Sequence, residues 1–375
     1  MFDTSDPEVF FRLQMAALTA RTTLLVNTGR PEDAGLDPAA EPDDDPDIVA
    51  RVFAETPADH VAITFHTSGS TGQPKPVPHS WGHLVGDARA IAASVGMTPG
   101  MSLTTVLTVP MDHMFGFSYG FMLTNVMGFA RPTARVVSPK SLHEALEAAE
   151  TPVVLVTTPT HLRIYADSAI ARFPNVAWLF CATSPIPEGL AEVVLQKFGT
   201  PVTDIYGCTE AGTLAYRVMD EPSPEWRCLD GMSLRQEGER YIFETDYFDA
   251  PVVIDDRLEI TRPGRFRFLG RSSDLVKIGG KRQSLAGMAR IVESLPHVRE
   301  AAFFLPPDEP NARLVLLAVF DGPPDFDAVR AKLRDAVDPV FMPRHCIAAD
   351  ALPRNANGKL PLSALVAAYN EKLRA

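Results

Sequence analysis

Two periods of apolar residues alternate along the chain. In "VAITF" (61–65), Val61, Ile63 and Phe65 recur at every second position, the spacing of a strand with one buried face. Further on, Leu84, Val85, Ala88, Ile91, Ala92 and Val95 recur at helical spacing and predict an amphipathic helix. The Gly-rich stretch between the two is therefore read as joining a strand to a helix. Strands are also predicted at 103–110, 134–138 and 153–158, and helices at 141–150 and 187–198. Strand and helix take turns, so the pattern predicts an α/β fold with a mostly parallel sheet. Around 230–270 it changes. "RYIFETDYF", "PVVID", "RLEIT" and "RFRFLG" are short, alternating and separated by turn formers, which predicts a β-rich lobe. From about 273 a small α+β unit follows. It has a helix at 284–295, the strands "REAAFFL" and "ARLVLLAVF", a helix at 325–336, and a turn-rich loop before a last helix. Residues 31–48, rich in Pro and Asp, read as a solvated loop.

Composition narrows the class. The chain has 375 residues, is 46% hydrophobic and 22% charged, and carries a formal net charge of -12. That is an ordinary soluble composition, long enough for two or three domains. The acidic balance argues against a nucleic-acid partner, which favours a basic face. No apolar run approaches the ~20 residues of a membrane span, and the start lacks the pattern of a signal peptide. The four cysteines form no C-x-x-C pair, so neither a zinc site nor a disulfide scaffold is expected, and a reducing cytoplasm fits.

The candidate chemistry begins at "TSGSTGQPK" (67–75). Thr67, Ser68, Ser70 and Thr71 supply hydroxyls, Gly69 and Gly72 allow close backbone approach, and Lys75 adds a cation. Successive N–H groups in such a turn make an anion-binding concavity, so a phosphate is the expected ligand. The glycine and lysine offsets do not match the Walker A pattern, and "SGSTG" does not match the nucleophile elbow.

Three more stretches follow in order: "DIYGCTEAG" (204–212), "GRSSDLVKIGG" (270–280) and "LPRNANGKL" (352–360). Together the four resemble the adenylate-forming (ANL) superfamily of acyl- and aryl-CoA synthetases, adenylation domains and luciferases, from about residue 60 onward. The resemblance implies a large N-terminal adenylation domain (1–271), shortened at its start, and a small mobile C-terminal lid (272–375) that rotates about 272–274, where Ser273 takes the usual hinge position. It implies that residues 67–72 and Lys75 cover the ATP phosphates. Tyr206 would stack on adenine within the turn that includes Asp204 and Gly207. Thr209 would bind the α-phosphate and Glu210 would hold Mg²⁺. Thr183 and Ser184 fall in the segment beside adenine, where glycine and alanine are usual. Asp256, or its neighbour Asp255, would accept the ribose hydroxyls, with Arg271 as a second contact. His113 would line the carboxylate pocket, although core packing suits it almost as well, and Met114, Phe115, Phe117 and Phe121 are either pocket lining or ordinary core. Lys359 would complete the adenylation site.

The implied reaction forms an acyl-adenylate and pyrophosphate from ATP and a carboxylic acid, then transfers the acyl group to a phosphopantetheine thiol. The acceptor is CoA or an acyl carrier protein, with a slight tilt toward the carrier. The acid is aryl or aliphatic, since the aspartate that holds an amino group is missing from "FGFSYGFM". Gly279 stands where an arginine is usual. A non-catalytic nucleotide sensor on the same fold is the rival reading. The sequence leaves the oligomeric state open, a homodimer included.

Overall fold

A computed structural model of the chain describes residues 6–26, 46–68, 74–186, 189–220, 225–271, 275–307, 313–354 and 360–374. The residues fall into two compact units. One comprises Met1–Gln236, Ile242–Val253 and Ile260–Phe266; the other comprises Glu237–Tyr241, Ile254–Glu259 and Arg267–Ala375.

The larger unit opens with α1 (Pro7–Thr19). Asp6 caps it by accepting from the N–H groups of Glu8 and Val9 at 2.9 and 3.1 Å, and Pro7 fixes the first helical φ. Next come β1 (Leu24–Val26), α2 (Pro46–Glu55), β2 (Val61–Ser68), β3 (Pro74–Ser80) and α3 (Trp81–Ser94). Strands β1, β2 and β3 form a small sheet in that order, parallel then antiparallel. The Gly-rich stretch therefore joins strand to strand, not strand to helix. The cause is legible in "PKPVPHS". Prolines 74, 76 and 78 lie at strand period on an edge strand, so one outward-facing row loses its N–H groups while Lys75, Val77 and His79 keep the ladder to β2.

The central elements are β4 (Thr104–Leu107), an irregular helix α4 (114–127), α5 (Pro139–Ala148), β5 (Val153–Thr157), α6 (Pro159–Asp167), β6 (Val176–Cys181), α7 (Leu190–Phe198), β7 (Val202–Cys208), β8 (Gly212–Val218) and β9 (Trp226–Cys228). Strands β4 to β7 are parallel neighbours. From β7 onward pairing is antiparallel, because short turns replace the crossover helices. The strand predicted at 134–138 reduces to one bridge, Arg135 to Leu107, between Pro132 and Pro139. Residues 46–48, predicted as loop, begin α2 instead. Within α4, Phe117–Leu123 winds wider than an α-helix. This sets Phe117 and Phe121 in a stack 5.4 Å apart, and Phe10 and Phe65 pack on Phe117 at 5.9 and 5.7 Å. These phenylalanines are fully buried core.

The β-rich segment contributes β10 (Ser233–Glu237), β11 (Arg240–Glu244), β12 (Val252–Ile254), β13 (Asp256–Arg262) and β14 (Arg265–Arg271), with Phe266 of β14 paired to Trp226 of β9.

In the smaller unit, β15 (Leu275–Ile278) and β16 (Lys281–Ser284) form a hairpin. Its two turn residues, Gly279 and Gly280, have φ of 57° and 80°, the left-handed pair that a tight hairpin demands. That requirement accounts for glycine at 279. Then come α8 (Leu285–Glu293), β17 (Val298–Phe304), β18 (Val315–Phe320), α9 (Phe326–Ala336), β19 (His345–Ala348) and α10 (Leu362–Arg374). The sheet β17-β18-β19 is covered on both faces. Leu314, Leu316 and Ala318 face α8 and α9, while Val315, Leu317 and Val319 face α10, the alternation that strand geometry imposes.

Candidate active site

The site is built around the turn between β7 and β8, which carries Thr209 and Glu210. The antiparallel register pairs Cys208 with Gly212 and Gly207 with Thr213, with a bulge after Tyr206. Two glycines make so tight a turn feasible. A Cβ on Gly207 would lie 2.0 Å from the Gly212 carbonyl oxygen, and Gly212 itself has φ +76°. Glu210 is exposed and Thr209 half-buried.

Three side chains from β3 and α3 hold this turn. The His79 Nε2 lies 2.8 Å from the Thr209 carbonyl oxygen, and the His83 Nε2 lies 2.8 Å from the Ala211 carbonyl oxygen. A carbonyl only accepts, so Nε2 carries the proton in both rings. Asp87 Oδ1 accepts the Thr213 N–H at 3.2 Å, and Oδ2 accepts the Ser118 hydroxyl at 3.1 Å. The side chains are spaced by four residues, and their backbone partners by two. Ser80 caps α3 through the His83 N–H at 3.2 Å and donates to Asp249 Oδ1 at 3.0 Å, anchoring the start of the row.

Burial sets the charge states. It pushes His79 down to about 4, helped by neighbouring His83, while the Thr209 carbonyl and Asp249 pull the other way. His83 is lowered by the same burial, against the Ala211 carbonyl and Asp249. Burial raises the Asp87 carboxyl to about 7 despite its two donors. At neutral pH both histidines are thus uncharged donors.

The sequence-predicted residues divide into three groups. The large unit brings one group to this edge. Tyr206 and Gly207 end β7, and Thr209 and Glu210 follow. Thr183 and Ser184 follow β6, the strand beside β7, and Cys181 pairs with Asp204. Met114, next to His113, reaches the turn: a Cβ on Gly212 would lie 3.1 Å from its Cε. Tyr206 is half-buried, with Trp226 and Phe266 each 5.6 Å from its ring. Thr183 keeps a φ of +88°, a strained value for a β-branched residue. Asp204 is buried and accepts Arg217 Nη2 at 2.8 Å; its carboxyl still rises to about 6, because burial outweighs the pairing. Lys75 is exposed on β3, opposite Thr67. A second group, Asp256 at the start of β13 and Arg271 at the end of β14, belongs to the smaller unit, where exposed Asp255 lies 4.0 Å from Arg240. In the third group, Gly69, Ser70, Thr71, Gly72, Ser273 and Lys359 lie outside the described residues, as do the side chains of Thr67, Ser68 and Arg271.

Sequence reasoning missed His79, His83 and Asp87. The available signal is three polar residues at intervals of four, two of them on the helix that carries the apolar stripe from Leu84 to Val95.

Comparison with known proteins points to the same family. The family model for AMP-binding enzymes matches residues 1–235. The 4-coumarate–CoA ligase of Rhodobacter capsulatus is 29% identical over 296 residues, covering 79% of this chain and 73% of that protein. The 3-hydroxybenzoate–CoA ligase of an Aromatoleum species is 26% identical over 369 residues, covering 84% and 67%. In fold, ATP-bound MatB from Rhodopseudomonas palustris superposes with a TM-score of 0.72 at 21% identity, covering 90% of this chain and 72% of that one. The AMP complex of the Bacillus subtilis O-succinylbenzoate–CoA synthetase superposes at 0.69 and 19%, covering 94% and 79%. Among the described residues, no helix is long and apolar enough to cross a membrane. The chain belongs to the AMP-binding enzyme family, within the adenylate-forming superfamily that its four motifs resemble.

Proposed function

We propose that the protein is an AMP-forming acid–thiol ligase acting on an aryl carboxylic acid, with CoA as acceptor. The family match over residues 1–235 carries this reading, and the CoA-ligase relatives support it. In the first half-reaction a carboxylate oxygen bonds to the α-phosphorus of ATP and pyrophosphate leaves. In the second, a thiolate attacks the acyl carbonyl, a thioester forms and AMP leaves.

In this reading the turn after β7 binds the nucleotide. Thr209 donates to the α-phosphate, and the ring of Tyr206 meets adenine beside Thr183 and Ser184. An exposed carboxylate on a tethered turn fits Mg²⁺, which takes one or two protein oxygens and fills its shell with water and phosphate. Glu210 would hold it, and the ion would supply charge neutralisation at the phosphates. Lys75 steadies the departing pyrophosphate, and His113 lines the carboxylate pocket. Asp256 and Arg271 hold the ribose. Lys359 closes the adenylation site as the C-terminal domain (272–375) turns about Ser273, and then withdraws for the thiol. Holding acid and nucleotide together supplies much of the rate, because it replaces an encounter in solution.

Incubation with MgATP, 3-hydroxybenzoate or 4-coumarate, and CoA tests the assignment. The expected products are AMP and an aryl-CoA thioester in equal amounts. AMP accumulation that ignores CoA but responds to a phosphopantetheine-bearing carrier protein would move the acceptor to a carrier. Nucleotide binding with no AMP formed from any acid would favour a sensor.

A further inference from the structure

The buried row presents three polar side chains to three backbone groups of the turn. We infer that His79, His83 and Asp87 are positioning residues: they fix the backbone on both sides of Glu210 and thereby set the affinity for the metal–nucleotide complex. This inference rests on the proposed function of the same turn.

The geometry is specific. The tethered groups are the carbonyls of Thr209 and Ala211 and the N–H of Thr213, so Glu210 sits between two held carbonyls while its own side chain stays exposed. The tethers bind backbone and make no demand on the Thr209 hydroxyl or on the Glu210 carboxylate, which neighbours the Cys208 thiol within the turn. They spring from the end of β3 and from the Ser80-capped helix α3 that follows it directly. The turn is also seated without slack: a single Cβ on Gly212 would come within 2.8 Å of Asp87 Oδ2. Apolar residues would fill this space at less desolvation cost if packing were all that mattered. The chain instead buries two histidine rings 5.0 Å apart and leaves the His79 Nδ1 without a partner among the described residues. Around the row, Asp249 and Ser80 face the histidines, and Tyr247 and Phe248 pack beside His83.

Calorimetric binding of MgATP and of metal-free ATP to the full chain, for wild type, His83→Ala and His83→Gln, tests this. The alanine removes the donor, whereas the glutamine amide restores one at the Nε2 position. Loss of a partner that orients a metal ligand costs about 10- to 100-fold in metal affinity, so His83→Ala should weaken MgATP by at least about tenfold. Metal-free ATP should bind nearly as before, and His83→Gln should recover most of the loss. Equal weakening of both ligands, or none, would overturn the inference. If wild type binds no nucleotide, the proposed function falls and backbone amide exchange decides the positioning role. Faster exchange at residues 208–213 in His83→Ala alone, with the rest of the large unit unchanged, would support it. Identical exchange in all three proteins would overturn it.

Discussion

Replacing Asp87 by asparagine should change how stability depends on pH. Asp87 is 1% exposed, and its carboxyl titrates at about 7 in the folded chain against 3.8 ordinarily. Between those values the folded chain keeps a proton that the unfolded chain has released. The stabilising contribution of this group is therefore complete below pH 3.8, shrinks as pH rises, and is gone above about 7. A gap of about three pH units at ~1.4 kcal/mol each gives roughly 4 kcal/mol between the limits. Asparagine cannot titrate. Its carbonyl can still accept the Thr213 N–H, and the Ser118 hydroxyl can turn to accept from its amide. His79, shifted to about 4, works in the opposite sense: its contribution is complete above pH 6.5 and is lost as pH falls toward 4. Both proteins contain His79, so it cancels from their difference. Urea melts of wild type and Asp87→Asn at intervals from pH 4 to 8 would measure that difference. It should move steadily in favour of the variant up to pH 7 and then level off. A difference independent of pH would refute the burial of an ionisable Asp87 in this row.

Other substitutions probe neighbouring parts of the site. Gly207→Ala must push β7 from β8, because its Cβ would meet the Gly212 carbonyl oxygen at 2.0 Å; a loss of about 2 kcal/mol or more in urea melts, with adenylation abolished, is expected. Arg217→Ala leaves the buried Asp204 carboxylate unpaired and removes a guanidinium 4.4 Å over the Trp226 ring; thermal melts near neutral pH should report roughly 3 kcal/mol lost. Lys75→Ala removes an exposed cation, so pyrophosphate exchange should fall about 10²-fold with the melting temperature unchanged.

Much of the fold follows directly from periodicity. The predicted helix at 284–295 corresponds to Leu285–Glu293, and "VVLVTT" to Val153–Thr157, because long apolar stripes and β-branched runs leave little choice. For the Gly-rich stretch, periodicity points to a helix as successor because prolines at every second residue mask a strand: they signal an edge, and only the neighbour β2 reveals it. Residues 134–138 have strand composition, but they meet β4 through a single bridge. At the site, Tyr206, Thr209 and Glu210 are legible as a contiguous motif. His79, His83 and Asp87 are not, because their partners lie about 130 residues away in sequence and are backbone atoms, which carry no residue identity.

The central claim is that this chain couples ATP cleavage to activation of a carboxylic acid. Isotope exchange between labelled pyrophosphate and ATP, measured with hydroxylated aryl acids and without any thiol, addresses it most directly. Acid-dependent exchange that requires Mg²⁺ and is lost in Glu210→Ala and Lys359→Ala is the predicted result. A wild-type protein that binds MgATP yet exchanges no label with any acid would contradict it.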